Sequence, residues 1–116
     1  MTRKNIDRII EILDGKKDKI AFKQFKSCKA WVSVEVAVEA GVGDDYISTI
    51  VVGIMSYDTI VGFVDVCNHK VYEYGKYTPT TSKQFTQICN AWYRGYERVF
   101  INVPAYNRFT KKDWGC

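Results

Sequence analysis

The spacing of apolar residues changes several times along this chain, and each change marks an element. Ile6, Ile9, Ile10 and Leu13 recur at i, i+3, i+4 and i+7, which predicts an amphipathic helix over residues 5–14. Asn5 is the expected N-cap, since its side-chain oxygen can accept from an orphan backbone N–H, and Gly15 is the expected stop. Over residues 30–39 the period drops to two. Val32, Val34, Val36 and Val38 alternate with Ser33, Glu35, Ala37 and Glu39, predicting one strand with a buried face and a wet face.

Ala40-Gly41-Val42-Gly43-Asp44-Asp45 is a turn by composition. Tyr46–Met55 is apolar on both faces and suits a central strand. Ser56-Tyr57-Asp58-Thr59 turns the chain into a strand over Ile60–Val66, and Asn68-His69 separates that strand from Lys70–Tyr77. Short connections make this a four-stranded antiparallel meander. Pro79 and the hydroxyls around it open a second helix, with Phe85, Ile88, Cys89, Trp92 and Tyr96 as its apolar face. Val99–Val103 reads as a short fifth strand at a sheet edge, followed by a C-terminal arm, Ala105–Cys116. The expected fold class is α+β, one domain over residues 1–116, with Phe85, Ile88 and Trp92 packed on one sheet face beside Ile6, Ile9, Ile10 and Leu13.

A length of 116 residues and an apolar fraction of 47% are enough for a core that needs neither metal nor disulfide. No segment reaches the ~20 apolar residues of a membrane span, so the expected setting is the cytoplasm of a bacterial host, with no membrane partner. Cys28, Cys67, Cys89 and Cys116 form no C-x-x-C pair, and His69 is the only histidine. A zinc site needs about four clustered ligands, so no metal or other cofactor is expected. Cys28, Cys67 and Cys89 read as small hydrophobes in a reducing compartment, while the even count would permit two disulfides in an exported chain.

Net charge is +4, unevenly spread. Residues 1–29 carry nine Lys/Arg against four Asp/Glu, residues 30–81 two against seven, and residues 82–116 six against two. An acidic middle therefore lies between basic flanks, a pattern that suits a partner surface or a solvated exterior. Within the first flank, Ile20, Phe22 and Phe25 are interleaved with six lysines. Such a segment can grip phosphates and stack on bases, or dock its apolar side while its lysines stay hydrated. The candidate partner-binding residues are Lys17, Lys19, Lys23 and Lys26, then Thr80, Thr81 and Lys83 at a helix start able to hold an anion, and Arg108, Lys111 and Lys112 in the arm.

Catalytic patterns are weak by comparison. Cys67-Asn68-His69 has the letters of a nucleophile and a base, but neighbours at a hairpin point in different directions. Gly75-Lys76 lacks the remainder of a P-loop. Asp44-Asp45 has no acidic partner nearby in sequence, and Glu35 and Glu39 lie too far apart along a strand to flank one bond. The chain reads as a binding protein and not an enzyme.

Ser56-Tyr57-Asp58-Thr59-Ile60-Val61-Gly62-Phe63, then Lys70-Val71-Tyr72, then Tyr77-Thr78-Pro79-Thr80-Thr81-Ser82-Lys83 together resemble a domain of unknown function found in small proteins of phages and mobile elements. That domain pairs an SY-x-T turn and a hairpin with a Y-x-x-TTSK helix start; Gln84 stands here where its pattern carries His. The resemblance implies an accessory protein that binds a host protein or ribonucleoprotein, such as a CRISPR effector that it inhibits. A small nucleic-acid-binding module using the basic flanks is the alternative. Thiol titration of denatured protein, prepared without reductant and protected from air, is expected to recover all four cysteines; two or fewer would overturn the reducing compartment.

Overall fold

Each face of the sheet is covered by one helix, and two irregularities in the strands decide which residues face which helix. The computed structural model describes residues 2–74 and 79–101, with side chains for 2–73 and 82–101. In chain order these form α1 (Arg3–Lys16), β1 (Phe22–Gln24), β2 (Ala30–Ser33), β3 (Val36–Ala40), a 3-10 turn (Gly43–Asp45), β4 (Ile47–Ser56), β5 (Thr59–Asp65), β6 (Lys70–Tyr74), α2 (Pro79–Trp92) and β7 (Glu97–Ile101). The α+β class is as expected.

α1 starts earlier than its apolar stripe suggests. Thr2, not Asn5, is the N-cap, its hydroxyl accepting from the Asn5 N–H at 3.2 Å. Asn5 lies inside the first turn, buried, with its side-chain oxygen accepting from Arg8 at 2.9 Å. Thr and Asn both suit the cap position, and only the path by which the chain enters the helix chooses between them.

The strands run in the order β1-β2-β4-β5-β6-β7, with β3 in line with β2 along the same edge of β4. The pairs from β1 to β6 are antiparallel, as the meander requires, and β4 is central. β7 joins β6 in parallel after the α2 crossover, at the edge expected for the fifth strand. Residues 75–78 and 102–116 lie outside the described residues, and with them the ends of the strands expected over 70–77 and 99–103 and the whole of the arm.

The single strand expected over 30–39 is two strands with a break between them. Val32 pairs with Ile54, whereas Val36 pairs with Val51, so β2–β3 carries one residue more than the stretch of β4 it lines. Such an extra residue reverses the facing of everything after it. Val32 enters the core under α2, Val36 and Val38 enter the core under α1, and Val34 is 58% exposed. Side-chain alternation could not reveal this, since four valines at even positions read as one face. The polar groups at the break are satisfied: Gly53 N–H donates to Ser33 Oγ at 2.6 Å, and Val34 N–H donates to the Ala21 carbonyl at 3.3 Å.

A second bulge lies in β5. Ile54 pairs with Gly62 and Met55 with Ile60, leaving Val61 as the added residue. Ile60 then packs under α1 and Val61 under α2. The helices consequently lie on opposite faces: Phe85, Ile88 and Cys89 with one core, Ile6, Ile9 and Leu13 with the other. The expected placement of both helices beside each other is corrected by this. Two apolar helices and a strand apolar on both faces are better buried as three layers than as two. Trp92 is also corrected: it is 51% exposed, with its ring 5.1 Å from that of Phe25 in an edge-on contact.

Asp65 is fully buried without a described cationic partner. It accepts from Thr49 Oγ1 at 2.7 Å, Asn68 Nδ2 at 2.8 Å and Asn68 N–H at 3.4 Å, which ties the β5–β6 turn to β4. The left-handed residue of that turn is His69 (φ 55°) and not Asn68, whose amide is used on Asp65. Glu73 is buried beside Arg98 of β7, 2.6 Å away.

Gly62 lies under α2 so closely that a methyl group there would collide with the Tyr72 carbonyl and the Phe85 ring. Gly15, near the end of α1, has open space where a Cβ would stand. Urea unfolding is expected to show Gly62→Ala destabilised by about 1–3 kcal/mol or more. Gly15→Ala is expected to be stabilised by about 0.5–1 kcal/mol. Equal effects at both positions would contradict the described packing.

Candidate functional site

The lysine-rich segment 16–29 folds into the end of α1, a turn, β1 and the β1–β2 loop, and this disperses its charges. Lys17 is engaged: its ammonium donates to the Asp58 carbonyl at 2.9 Å and lies 3.9 Å from Asp14. Lys19 is exposed in the turn after α1. Lys23 pairs in register with Val32, which packs under α2, so the pleat puts Lys23 on the α2 face of an edge strand. A lysine there also discourages pairing with another chain. Lys26 stands in the β1–β2 loop, and Lys83 is exposed on the first turns of α2. Lys19, Lys23, Lys26 and Lys83 make no ion pair with a described residue. The side chains of Thr80 and Thr81 lie outside the described residues, as do Arg108, Lys111 and Lys112.

What the fold brings together is the β1–β2 loop and the exposed stripe of α2. Between them is an open cleft of about 610 Å³ lined by Lys26, Ser27, Cys28, Gln87, Asn90 and Ala91. Among the described residues, no carboxylate is in that lining. Gln87 and Asn90 are three residues apart on the helix, hence neighbours on one face, and their amides have no hydrogen-bond partner among the described residues.

The loop wall is firmly built. Phe25 N–H donates to the Ala30 carbonyl at 2.8 Å, and Cys28 N–H and Sγ both donate to the Phe25 carbonyl, at 3.2 and 3.0 Å. Gln24 Nε2 adds a bond to the Cys28 carbonyl at 2.8 Å. Phe25 itself is buried under α2. Lys26 takes φ 50°, a conformation unfavourable for a residue with a Cβ, and its ammonium lies 5.4 Å from the Phe25 ring centre. The loop is also joined to the β4–β5 turn, where Tyr57 N–H donates to the Lys29 carbonyl at 3.3 Å. Tyr57 is half-exposed and left-handed, with φ 57°.

The α2 wall is anchored at several points. Gln84 is buried and its carbonyl accepts from Ser56 Oγ at 2.9 Å, while Thr86 accepts from Arg98 at 3.1 Å. Gln87, Asn90 and the buried Gln84 do not stand out in the sequence. A polar stripe at helical spacing beside an apolar one is the available signal, but every surface helix has such a stripe.

The Cys67-Asn68-His69 turn is exposed, with Asn68 bonded to Asp65 and the His69 ring tilted against that of Tyr96, centres 4.9 Å apart. Cys67 therefore does not behave as a buried hydrophobe, contrary to expectation; a hairpin tip has no core to enter. Cys28 is half-buried and Cys89 buried, and all three are free thiols. Burial pushes the Cys89 thiol pKa up, Arg98 draws it down and Glu73 adds to the rise. No group of His, Cys, Asp and Glu among the described residues is arranged to hold a metal, and no helix among them is long and apolar enough to cross a membrane.

No protein-family model, curated protein or solved structure matches the chain.

Since the thiolate is the nucleophile, alkylation of the native protein at pH 8 is expected to reach Cys67 first, Cys28 later and Cys89 last, with Cys89 about tenfold or more slower than Cys67. Peptide mapping by mass spectrometry reads the order. Rapid loss of Cys89 would contradict the burial of α2.

Proposed function

We propose that the protein is a non-enzymatic binding protein that engages a macromolecular partner through the cleft between the β1–β2 loop and α2. The observation that carries this reading is an open cleft in which the exposed amides of Gln87 and Asn90 face a hydrogen-bonded loop that presents Lys26. The cleft favours binding over chemistry: its thiol, Cys28, gives its S–H to a backbone carbonyl, and among the described residues neither a histidine nor a carboxylate lines the cleft beside Cys28 or Ser27. The resemblance of residues 56–83 to a phage domain supports a partner in the host's defence machinery, a ribonucleoprotein such as a CRISPR effector.

Affinity capture from bacterial lysate, with quantitative mass spectrometry, tests the surface. The wild-type chain is expected to recover one partner complex reproducibly. The double variant Gln87→Ala, Asn90→Ala should recover at least about tenfold less, as expected where a few contacts carry most of the binding energy. Glu11→Ala, exposed on α1 across the sheet, should recover as much as wild type. Undiminished capture by the cleft variant would overturn the assignment of this face.

A further inference from the structure

We infer that the end of the sheet which α2 leaves uncovered docks a basic segment of another protein, one that carries lysine or arginine beside apolar side chains. This surface is separate from the cleft and goes beyond the reading above.

The pleat defines it. Val36 and Val38 of β3, with Ile47 and Val51 of β4, face α1. Ala37 and Glu39, with Ser48 and Ile50, therefore face the other way, Ala37 paired with Ile50 and Glu39 with Ser48. α2 packs on β4 at Val52 and Ile54 and stops short of Ile50, which is 37% exposed. Ala37, Glu39 and Ser48 are exposed with it. Val66 N–H donates to the Ile50 carbonyl at 3.0 Å, so an apolar row runs from Ala37 through Ile50 to Val66. The same strands are thus covered by a helix on one face and by no described element on the other.

Aromatic rings and carboxylates border this row. Tyr93 and Tyr96 follow α2 and pack partly on its core, their rings 5.3 Å apart and inclined by 60°. Tyr46 is half-exposed, and its hydroxyl donates to Glu39 Oε1 at 2.6 Å. Burial raises the Tyr93 phenol pKa, and Tyr96, Glu35 and Cys89 add to the rise, in keeping with a Glu35 carboxylate near that ring.

Charge selects the occupant. Of the seven carboxylates in the acidic middle of the chain, Asp65 and Glu73 are buried and Asp45 lies 3.9 Å from Lys4. Glu35 and Glu39 remain exposed at this surface, neither in an ion pair with a described residue. Carboxylates beside phenol rings attract a cation from both sides, by charge and by the ring faces. Phosphates and acidic peptides are repelled. A second copy seated about a two-fold axis would set these carboxylates against themselves.

Selection of randomised peptides of about 12 residues, displayed on yeast and sorted against the full chain, tests the inference. Enriched peptides are expected to combine net positive charge with apolar residues. The chain itself carries +4, so a preference for cations has to arise locally. Fluorescence anisotropy with an enriched, labelled peptide should give a Kd of about 1–100 µM. Ile50→Ser should weaken it about tenfold. Glu35→Gln with Glu39→Gln should weaken it about fivefold at about 0.05 M salt and about twofold or less at 0.5 M, where charge is screened. Both carboxylates are exposed, so this pair tests the surface even where circular dichroism shows Ile50→Ser to be misfolded. Glu35→Lys with Glu39→Lys should turn the selection toward acidic peptides. The cleft variant Gln87→Ala, Asn90→Ala should bind the peptide as wild type does.

No enrichment, enrichment of acidic or uncharged peptides by the wild-type chain, or binding lost in the cleft variant and retained in the Glu35→Gln, Glu39→Gln pair would each overturn the inference. Sedimentation showing a dimer that Ile50→Ser dissociates would assign the surface to a second copy and overturn it too. None of these outcomes bears on partner capture through the cleft.

Discussion

The seating of Phe85 on Gly62 sets how α2 lies over the sheet, and the candidate cleft depends on it. With no side chain on Gly62, the Phe85 ring descends onto the β5 backbone and is fully buried, a contribution of roughly 1.5–3 kcal/mol from area alone. Ile88 and Cys89 follow it down, and the opposite stripe of the helix is left facing the β1–β2 loop. Across the sheet, Leu13 of α1 approaches Gly53 of β4, the residue that pairs with Phe63 beside it. Glycines on adjacent central strands thus receive one helix on each face.

The two bulges serve the same arrangement by distributing apolar residues between the layers. Without the extra residue between β2 and β3, Val32, Val36 and Val38 would share one face and one core would lose what this edge gives it. Ser33 makes the break tolerable, because its hydroxyl takes up a Gly53 N–H left over from the ladder. An unpaired buried N–H there would cost about 1–3 kcal/mol.

Burial also alters what the charge pattern means. The acidic middle of the chain does not present its carboxylates as a single face: Asp65 and Glu73 are buried and hydrogen-bonded to Thr49, Asn68 and Arg98. The basic first flank is likewise thinned, since Lys17 is committed to Asp14 and the Asp58 carbonyl. What remains at the cleft is Lys26, brought beside the amides of Gln87 and Asn90 from a helix far along the chain.

Local rules made much of the fold legible. Helical spacing located α1 and α2, continuous apolarity marked β4 as central, and short polar connections at Tyr57-Asp58 and around Asn68 implied antiparallel pairing. Each of these depends on residues close in sequence, where period and turn chemistry act directly. Which face each helix covers was not legible, because it turns on one extra residue in β2–β3 and one in β5, and a bulge leaves no mark in a run of valines. Nor was the cleft: Lys26 and Asn90 acquire joint meaning only when β1 reaches the sheet edge and Phe85 settles on Gly62. The sequence by itself determined the two helices and the antiparallel run from β4 to β6, but neither β1 nor the division of 30–39 into β2 and β3. Packing on both faces of the sheet, a long-range competition for buried area, decided which of its polar residues face one another.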